Sequence, residues 1–158
     1  MQDKVIVGSE EWCSFPALGI PTIKARVDSG AKTSALHAVN IVTFEKDSEK
    51  WVKFDINPIQ NNVKAVIHCE APLVDKRVVK SSSGFREQRY VIKTKLEIGG
   101  KTWEIEVTLT NRDSMGFRML LGREAMSGRI LVDPEKRYLL GQPTTEKLKE
   151  YYYDTSEN

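Results

Sequence analysis

An all-β domain, a closed barrel with one short helix, is the fold class this sequence predicts. Three observations predict it. Clusters of β-branched and aromatic residues recur along most of the chain, two long alternating runs are joined by Gly99-Gly100, and helix signals are sparse.

In chain order, strands are predicted over Lys4 to Val7, Thr22 to Val27, Val39 to Phe44, Trp51 to Ile56, Lys64 to His68, Arg77 to Lys80, Gln88 to Ile98, Lys101 to Leu109 and Ile130 to Val132. The clearest is the eighth. Trp103, Ile105, Val107 and Leu109 fall on one face and Glu104, Glu106 and Thr108 on the other, the period of a half-buried strand. Gly99-Gly100 before it predicts a tight hairpin, because glycine adopts positive φ without a Cβ penalty. Helices are predicted only after Gly122, over Arg123 to Met126 with Ser127-Gly128 as the stop, and over the mostly polar Thr145 to Tyr152. Asn57 to Asn62 reads as a loop. The expected organisation is one domain over residues 1–142 and a peripheral tail over 143–158, with no internal repeat.

Composition narrows the function classes. The 158 residues are 40% hydrophobic and 29% charged, an ordinary globular balance, and the net charge of +2 is too small to argue for nucleic acid. No apolar run approaches the length of a membrane-spanning helix. Cys13 and Cys69 are far apart and form no C-x-x-C, so a disulfide scaffold is excluded and a reduced, cytoplasmic protein is expected.

The most informative segment is Ala25-Arg26-Val27-Asp28-Ser29-Gly30-Ala31-Lys32-Thr33-Ser34-Ala35-Leu36. A predicted strand runs straight into Asp28-Ser29-Gly30, placing a carboxylate at a strand end, then a hydroxyl, then a residue that lets the backbone turn. Neighbouring N–H groups would hold that carboxylate, open to a cleft. Taken alone, the tripeptide is equally a capped turn. A second signal is Met119-Leu120-Leu121-Gly122-Arg123, an apolar strand ending in glycine and opening the short helix.

Together these segments resemble the retropepsin-like aspartic protease fold, in which an Asp-Thr/Ser-Gly loop packs near a hydrophobic-hydrophobic-Gly segment. Between them, Val78 to Ile92, with Ser81-Ser82-Ser83-Gly84 at its turn, is similar to the flap hairpin of that fold. Gly8, Trp12, Pro16, Gly19-Ile20, the run Ala25 to Ala38, Ser82-Ser83-Gly84 with Arg89, Thr108 to Arg112, and Met119 to Arg123 further resemble a bacterial retropepsin-like family often labelled ATP-dependent zinc proteases. The resemblance covers roughly Val5 to Asp133. Members are associated with ATP-grasp ligases that add glutamates to protein tails, which implies an acidic peptide substrate and a functional link to such a ligase.

The zinc and ATP parts of that label find no support in the residues. There is no H-E-x-x-H and no G-x-x-x-x-G-K-[ST]; the histidines are His37 and His68, and His68-Cys69 on a strand would point to opposite faces. No metal and no cofactor are expected.

An aspartic protease needs two carboxylates sharing one proton. Asp47, Asp55, Asp75, Asp113 and Asp133 lack a following Ser/Thr-Gly, so Asp28 must come from each of two chains across a two-fold axis. The resemblance implies substrate contacts from Ser29, Gly30, Ala31 and Lys32 of the loop and from Ser83, Gly84, Arg86 and Arg89 of the flap, with Leu121, Gly122 and Arg123 as supports. In retroviral relatives the arginine after that glycine pairs with an acid just past the catalytic loop. Lys32 stands at that position here, so either another acid rebuilds the pair, Lys32 turns towards substrate, or it is a solvated surface lysine.

The flap-like segment carries Lys76, Arg77, Lys80, Arg86, Arg89 and Lys93 against the single acid Glu87. This is either a solvated face or a basic lid that grips carboxylates. Nucleic acid is disfavoured, since only Phe85 and Tyr90 interleave the charges. Trp12, Trp51 and Trp103 read as core or interface aromatics. Tyr151-Tyr152-Tyr153 would dock on the barrel or on a dimer mate. The expected function is a homodimeric, retropepsin-like aspartic peptidase hydrolysing peptide or glutamyl amide bonds. The alternative is a non-catalytic peptide-binding module of the same fold.

Overall fold

The computed structural model describes residues 3–59, 65–80, 84–111 and 117–152. In chain order these form β1 (Val5–Val7), β2 (Glu10–Phe15), a 3₁₀ turn (Pro16–Leu18), β3 (Ile20–Val27), β4 (Ser34–His37), β5 (Val39–Lys46), β6 (Glu49–Ile56), β7 (Ile67–Lys80), β8 (Arg86–Ile98), β9 (Lys101–Thr110), β10 (Met119–Leu121), α1 (Arg123–Met126), β11 (Ile130–Val132) and α2 (Thr145–Tyr152). The chain is all-β with two short helices among the described residues.

Nine strands make one sheet in the order β2-β3-β10-β4-β9-β8-β7-β6-β5. β2 also meets β8 through Ser14 and Glu97, whose side chains share a 2.8 Å hydrogen bond, so six strands form a ring. That closure rests on one residue pair; the sheet is ring-like rather than a barrel with a continuous closing ladder. Phe15, Ile20, Ile23, Leu36, Ile92, Leu96, Met119 and Leu121 are fully buried in one continuous core. β1 and β11 form a separate parallel pair.

Several elements follow from local sequence. The β8–β9 hairpin turns on Gly99 and Gly100, with φ of 61° and 77°, as the dipeptide predicts. Other boundaries differ from expectation for physical reasons. The runs expected as separate strands, Lys64 to His68 and Arg77 to Lys80, belong to one strand, β7 (Lys64 itself lies outside the described residues). Its first half pairs with β6 as far as Pro72, and its second half with β8 from Leu73 onward. Proline lacks a donor, so it sits where the strand changes partners rather than where it ends.

Two strands escape the sequence pattern. In β4, an interior strand between β10 and β9, all four residues are buried, so both of its faces are covered and no alternation is left to read. In β2 an acid occupies an inward position. Glu11 is completely buried, and its carboxylate accepts N–H bonds from Gly8 at 2.7 Å, Leu139 at 2.8 Å and Leu140 at 3.2 Å. It therefore ties the start of the fold to the segment that follows β11, with multiple hydrogen bonds offsetting the cost of burying the charge.

α2 is held by a similar device. The β2–β3 register shifts between Cys13 and Phe15, at a β-bulge. Opposite that shift, the Tyr152 hydroxyl accepts from Thr22 N at 3.0 Å and donates to Thr22 O. The tyrosine expected to dock on the barrel or on a mate thus docks on its own sheet.

Glu11→Ala leaves three N–H groups without their acceptor and should lower the unfolding free energy by about 3 kcal/mol in urea titrations. Burial pushes the Cys13 and Cys69 thiols up to about 12 from an ordinary 9.0, and the Tyr152 phenol up to about 12 from 10.0. The folded state therefore keeps protons that the unfolded chain releases. Their contribution is complete below pH about 9 and should fall away between pH about 9 and 12, a decline that Cys13→Ala should make shallower in denaturation measured against pH.

Candidate active site

β3 is pinned in the core by Ile23 and Ala25 and delivers Asp28 at its end. Asp28 N donates to Leu121 O at 2.9 Å, Ala31 N donates to Asp28 O at 3.2 Å, and the Asp28 Oδ1 accepts from Gly30 N at 3.0 Å. The carboxylate is thus fixed by the turn it starts, half-buried and facing a cleft of about 820 Å³.

The loop's position depends on β10. That strand runs parallel to β3 (Met119 to Ala25, Leu121 to Val27) and antiparallel to β4 (Met119 to Leu36, Leu120 to Ala35). It is therefore threaded between the two strands that the Asp28 loop connects. Gly122 follows it and donates its N–H to Ser34 Oγ at 2.9 Å. A β-carbon on Gly122 would lie 2.6 Å from the Thr33 carbonyl carbon and 2.8 Å from Ser34 N, so only glycine admits this approach. α1 opens with no side-chain cap. Its first free donors bond the loop instead: Arg123 N to Ala31 O at 2.7 Å and Glu124 N to Lys32 O at 3.0 Å.

Arg123 Nη1 donates to Ser29 O at 3.1 Å, and among the described residues it forms no ion pair. The expected alternatives for this position included a rebuilt pair with another acid; the guanidinium braces the loop through a carbonyl instead. Lys32 is exposed and lines the cleft.

Asp28, Gly30, Ala31, Lys32 and Arg89 line this cleft together. Ser29 is exposed and gives its carbonyl to Arg123, while Leu121, Gly122 and Arg123 support the loop from behind. Gly84, with φ 89°, and Arg86 are exposed where β8 begins, away from the lining; Ser83 lies outside the described residues. Sequence reasoning named Arg77 and Lys80 only as part of a basic run, and it missed the lining residues Glu106, Thr108 and Glu124. Glu106 and Thr108 sit on the polar face of β9, which alternation assigns to solvent. That face lines the cleft, where Arg77 of β7 meets Glu106 and Arg89 of β8 meets Thr108.

The two arginines that the basic hairpin sends to the cleft are each paired with acids of the same sheet. Arg77 bonds Glu106 at 2.8 Å and Asp75 at 2.7 Å, and Arg89 bonds Glu87 at 3.0 Å. These contacts hold Arg77 above its ordinary range, through Glu106 first and then Asp75, and the Arg77 hydrogen bond holds Asp75 below its own. Arg89 also reaches Thr108 Oγ1 at 3.5 Å, and Thr108 donates to Ser34 O at 3.1 Å, linking the hairpin to the loop.

For metals, no group of three or more His, Cys, Asp or Glu side chains converges among the described residues. His68 is exposed with Nδ1 2.6 Å from Asp55, whereas Cys69 is buried on the other face of β7. The Asn40 and His68 hydrogen bonds hold the Asp55 carboxyl below its usual range.

Gly122→Ala should push the Thr33–Ser34 backbone aside, costing about 3 kcal/mol of stability. Ser34→Ala removes one hydrogen bond and should cost about 1 kcal/mol. Thermal melts of the two variants check this order.

Comparison with known proteins agrees with the geometry. Proteins named probable alpha-L-glutamate ligase from Shewanella halifaxensis and Desulfotalea psychrophila are each 57% identical, over 95% and 94% of this chain but 33% and 32% of their own length. The chain thus spans about a third of these curated relatives. A crystal structure of a Legionella pneumophila protein of unknown function superposes with a TM-score of 0.71 at 29% identity, covering 87% of this chain and 98% of that one. Residues 6–143 match the model of the retropepsin-like aspartic endopeptidase RimB, and with the Asp28 loop and its interlocking glycine in place, the chain belongs to this RimB-like family.

Proposed function

We propose that this chain is an aspartic peptidase that hydrolyses peptide or glutamyl amide bonds with water activated between two Asp28 carboxylates, one from each copy of a homodimer. The observation that carries this reading is the Asp28 carboxylate, pinned by Gly30 N and facing a cleft large enough for an extended peptide. Of the other acids at the cleft, Glu106 is paired with Arg77 in the resting cleft, and Glu124 lies 3.5 Å from the Thr33 hydroxyl. A second Asp28 is the better partner.

With one proton shared by the dyad, the ionised carboxylate takes a proton from water as its oxygen attacks the carbonyl carbon. The protonated one donates to the carbonyl oxygen. As the tetrahedral diol collapses and the C–N bond breaks, the carboxyl that took water's proton gives it to the leaving nitrogen. The other carboxylate takes the proton of a diol hydroxyl, which restores the shared proton. Two like charges in contact cannot both ionise easily, so the pair titrates in two coupled steps and activity should follow a bell-shaped pH profile.

Glutamate-rich protein tails are the substrate class that this reading favours. The cationic side chains of the cleft support it, as does the occurrence of this segment within proteins named for a glutamate ligase. A functional link to an ATP-grasp ligase and a cytoplasmic setting belong to the same proposal.

Asp28→Asn should lower turnover of a glutamate-rich peptide by a thousandfold or more, on the order expected for losing general acid–base catalysis, while leaving peptide binding unchanged. Light scattering over a dilution series should give twice the monomer mass. A monomer at every concentration that binds peptide without cleaving it would instead leave a peptide-binding module of the same fold.

A further inference from the structure

Arg77 on β7 and Arg89 on β8 are direct partners in the antiparallel register, and both line the Asp28 cleft. Like charges placed opposite each other across a sheet repel, so the pairing needs carboxylates nearby. The chain supplies its own. Arg77 Nη1 donates to Glu106 and its Nε to Asp75, while Arg89 Nε donates to Glu87.

These bridges are built to exchange. The Arg77–Glu106 pair is open to water on both partners, at 36% and 31% of side-chain surface, and such pairs are individually weak. In the second pair Glu87 keeps 33% exposed and Arg89 11%. A guanidinium carries five N–H donors. In the bonds described, Arg77 and Arg89 each use Nε and Nη1, so further donors of each fork are not committed in those bonds. Lys32 and Lys80, which also line the cleft, form no ion pair among the described residues. Glu87 has a second place to go, because both its oxygens already lie within 3.3 Å of Thr110 Oγ1.

We infer that Arg77 and Arg89 are the residues that read acidic side chains of the substrate, and that Glu106 and Glu87 occupy their forks in the resting cleft until substrate carboxylates displace them. Arginine suits this role because its planar fork takes a carboxylate by two parallel bonds. A ligand lacking carboxylates offers nothing to replace the internal bonds. The internal acids therefore set selectivity: they keep the resting cleft neutral at this point and favour partners with carboxylates spaced to meet both arginines. The role in turnover rests on the peptidase reading above; the binding step does not.

The test compares a peptide of six consecutive glutamates with its all-glutamine counterpart. Binding is read by fluorescence anisotropy on the full chain carrying Asp28→Asn, and cleavage on the chain with Asp28 intact. Arg77→Gln and Arg89→Gln should each weaken binding of the glutamate peptide about tenfold or more and change the glutamine peptide less than about twofold. Glu106→Gln, which keeps both guanidiniums, should tighten the glutamate peptide about threefold and leave the glutamine peptide unchanged. Equal losses on both peptides, or no tightening in Glu106→Gln, overturn the inference. If an arginine variant melts early, Glu106→Gln decides. Discriminating binding without any cleavage by the intact chain sinks the peptidase reading and leaves this one standing.

Discussion

Backbone-to-backbone contact at Gly122 is the constraint on which the rest of this site depends. β10 is only three residues long, yet it pairs with both β3 and β4, the strands that the Asp28 loop joins. Its partners hold the two ends of the loop at a fixed separation, and Gly122 closes the gap by donating to Ser34 Oγ. The N-terminal donors of α1 then take the Ala31 and Lys32 carbonyls. A loop that would otherwise expose unpaired polar groups is thereby bonded from behind, which leaves its carboxylate as the group turned towards the cleft.

The electrostatics of the cleft follow from what faces that loop. The hairpin of β7 and β8 brings two arginines into the lining of the Asp28 cleft, but each is met by an acid from the same sheet. A cluster that the sequence leaves open as a solvated face or a basic lid thus has both its cleft-lining arginines paired, while Lys80 beside them is in no ion pair among the described residues. Thr108 connects the two halves, touching Arg89 on one side and the Ser34 carbonyl on the other. Ser34 in turn receives Gly122, so flap root, loop and β10 share one hydrogen-bond network. Networks of this kind are stiff when every member is satisfied.

Away from the cleft, the frame is secured by polar groups acting inside an apolar shell. Glu11 gathers N–H groups from both ends of the fold, and Tyr152 satisfies the backbone of Thr22 beside a bulge. Both solve the same problem, a main-chain group that strand pairing leaves without a partner.

How much was legible in the sequence can be argued from particular residues. Alternation found β9, paired glycines found the β8–β9 turn, and Gly122 with Ser127-Gly128 bounded α1 to the residue. Asp28-Ser29-Gly30 and Leu120-Leu121-Gly122 stood out through their resemblance to a known fold. The tripeptide alone is equally a capped turn, and the contact that excludes a β-carbon at Gly122 comes from Thr33 and Ser34, distant in the chain. The sequence by itself therefore determined the strand-rich class and pointed to the Asp28 loop. Only the tertiary structure decided that β4 is buried on both sides, that Glu11 points inward, that Arg123 braces a carbonyl, and that Glu106 pairs with Arg77. The physical reason is common to all four. Periodicity tells which residues share a face, but what that face meets is set by strands distant in the chain, and a buried charge is tolerated only where those strands bring its partners.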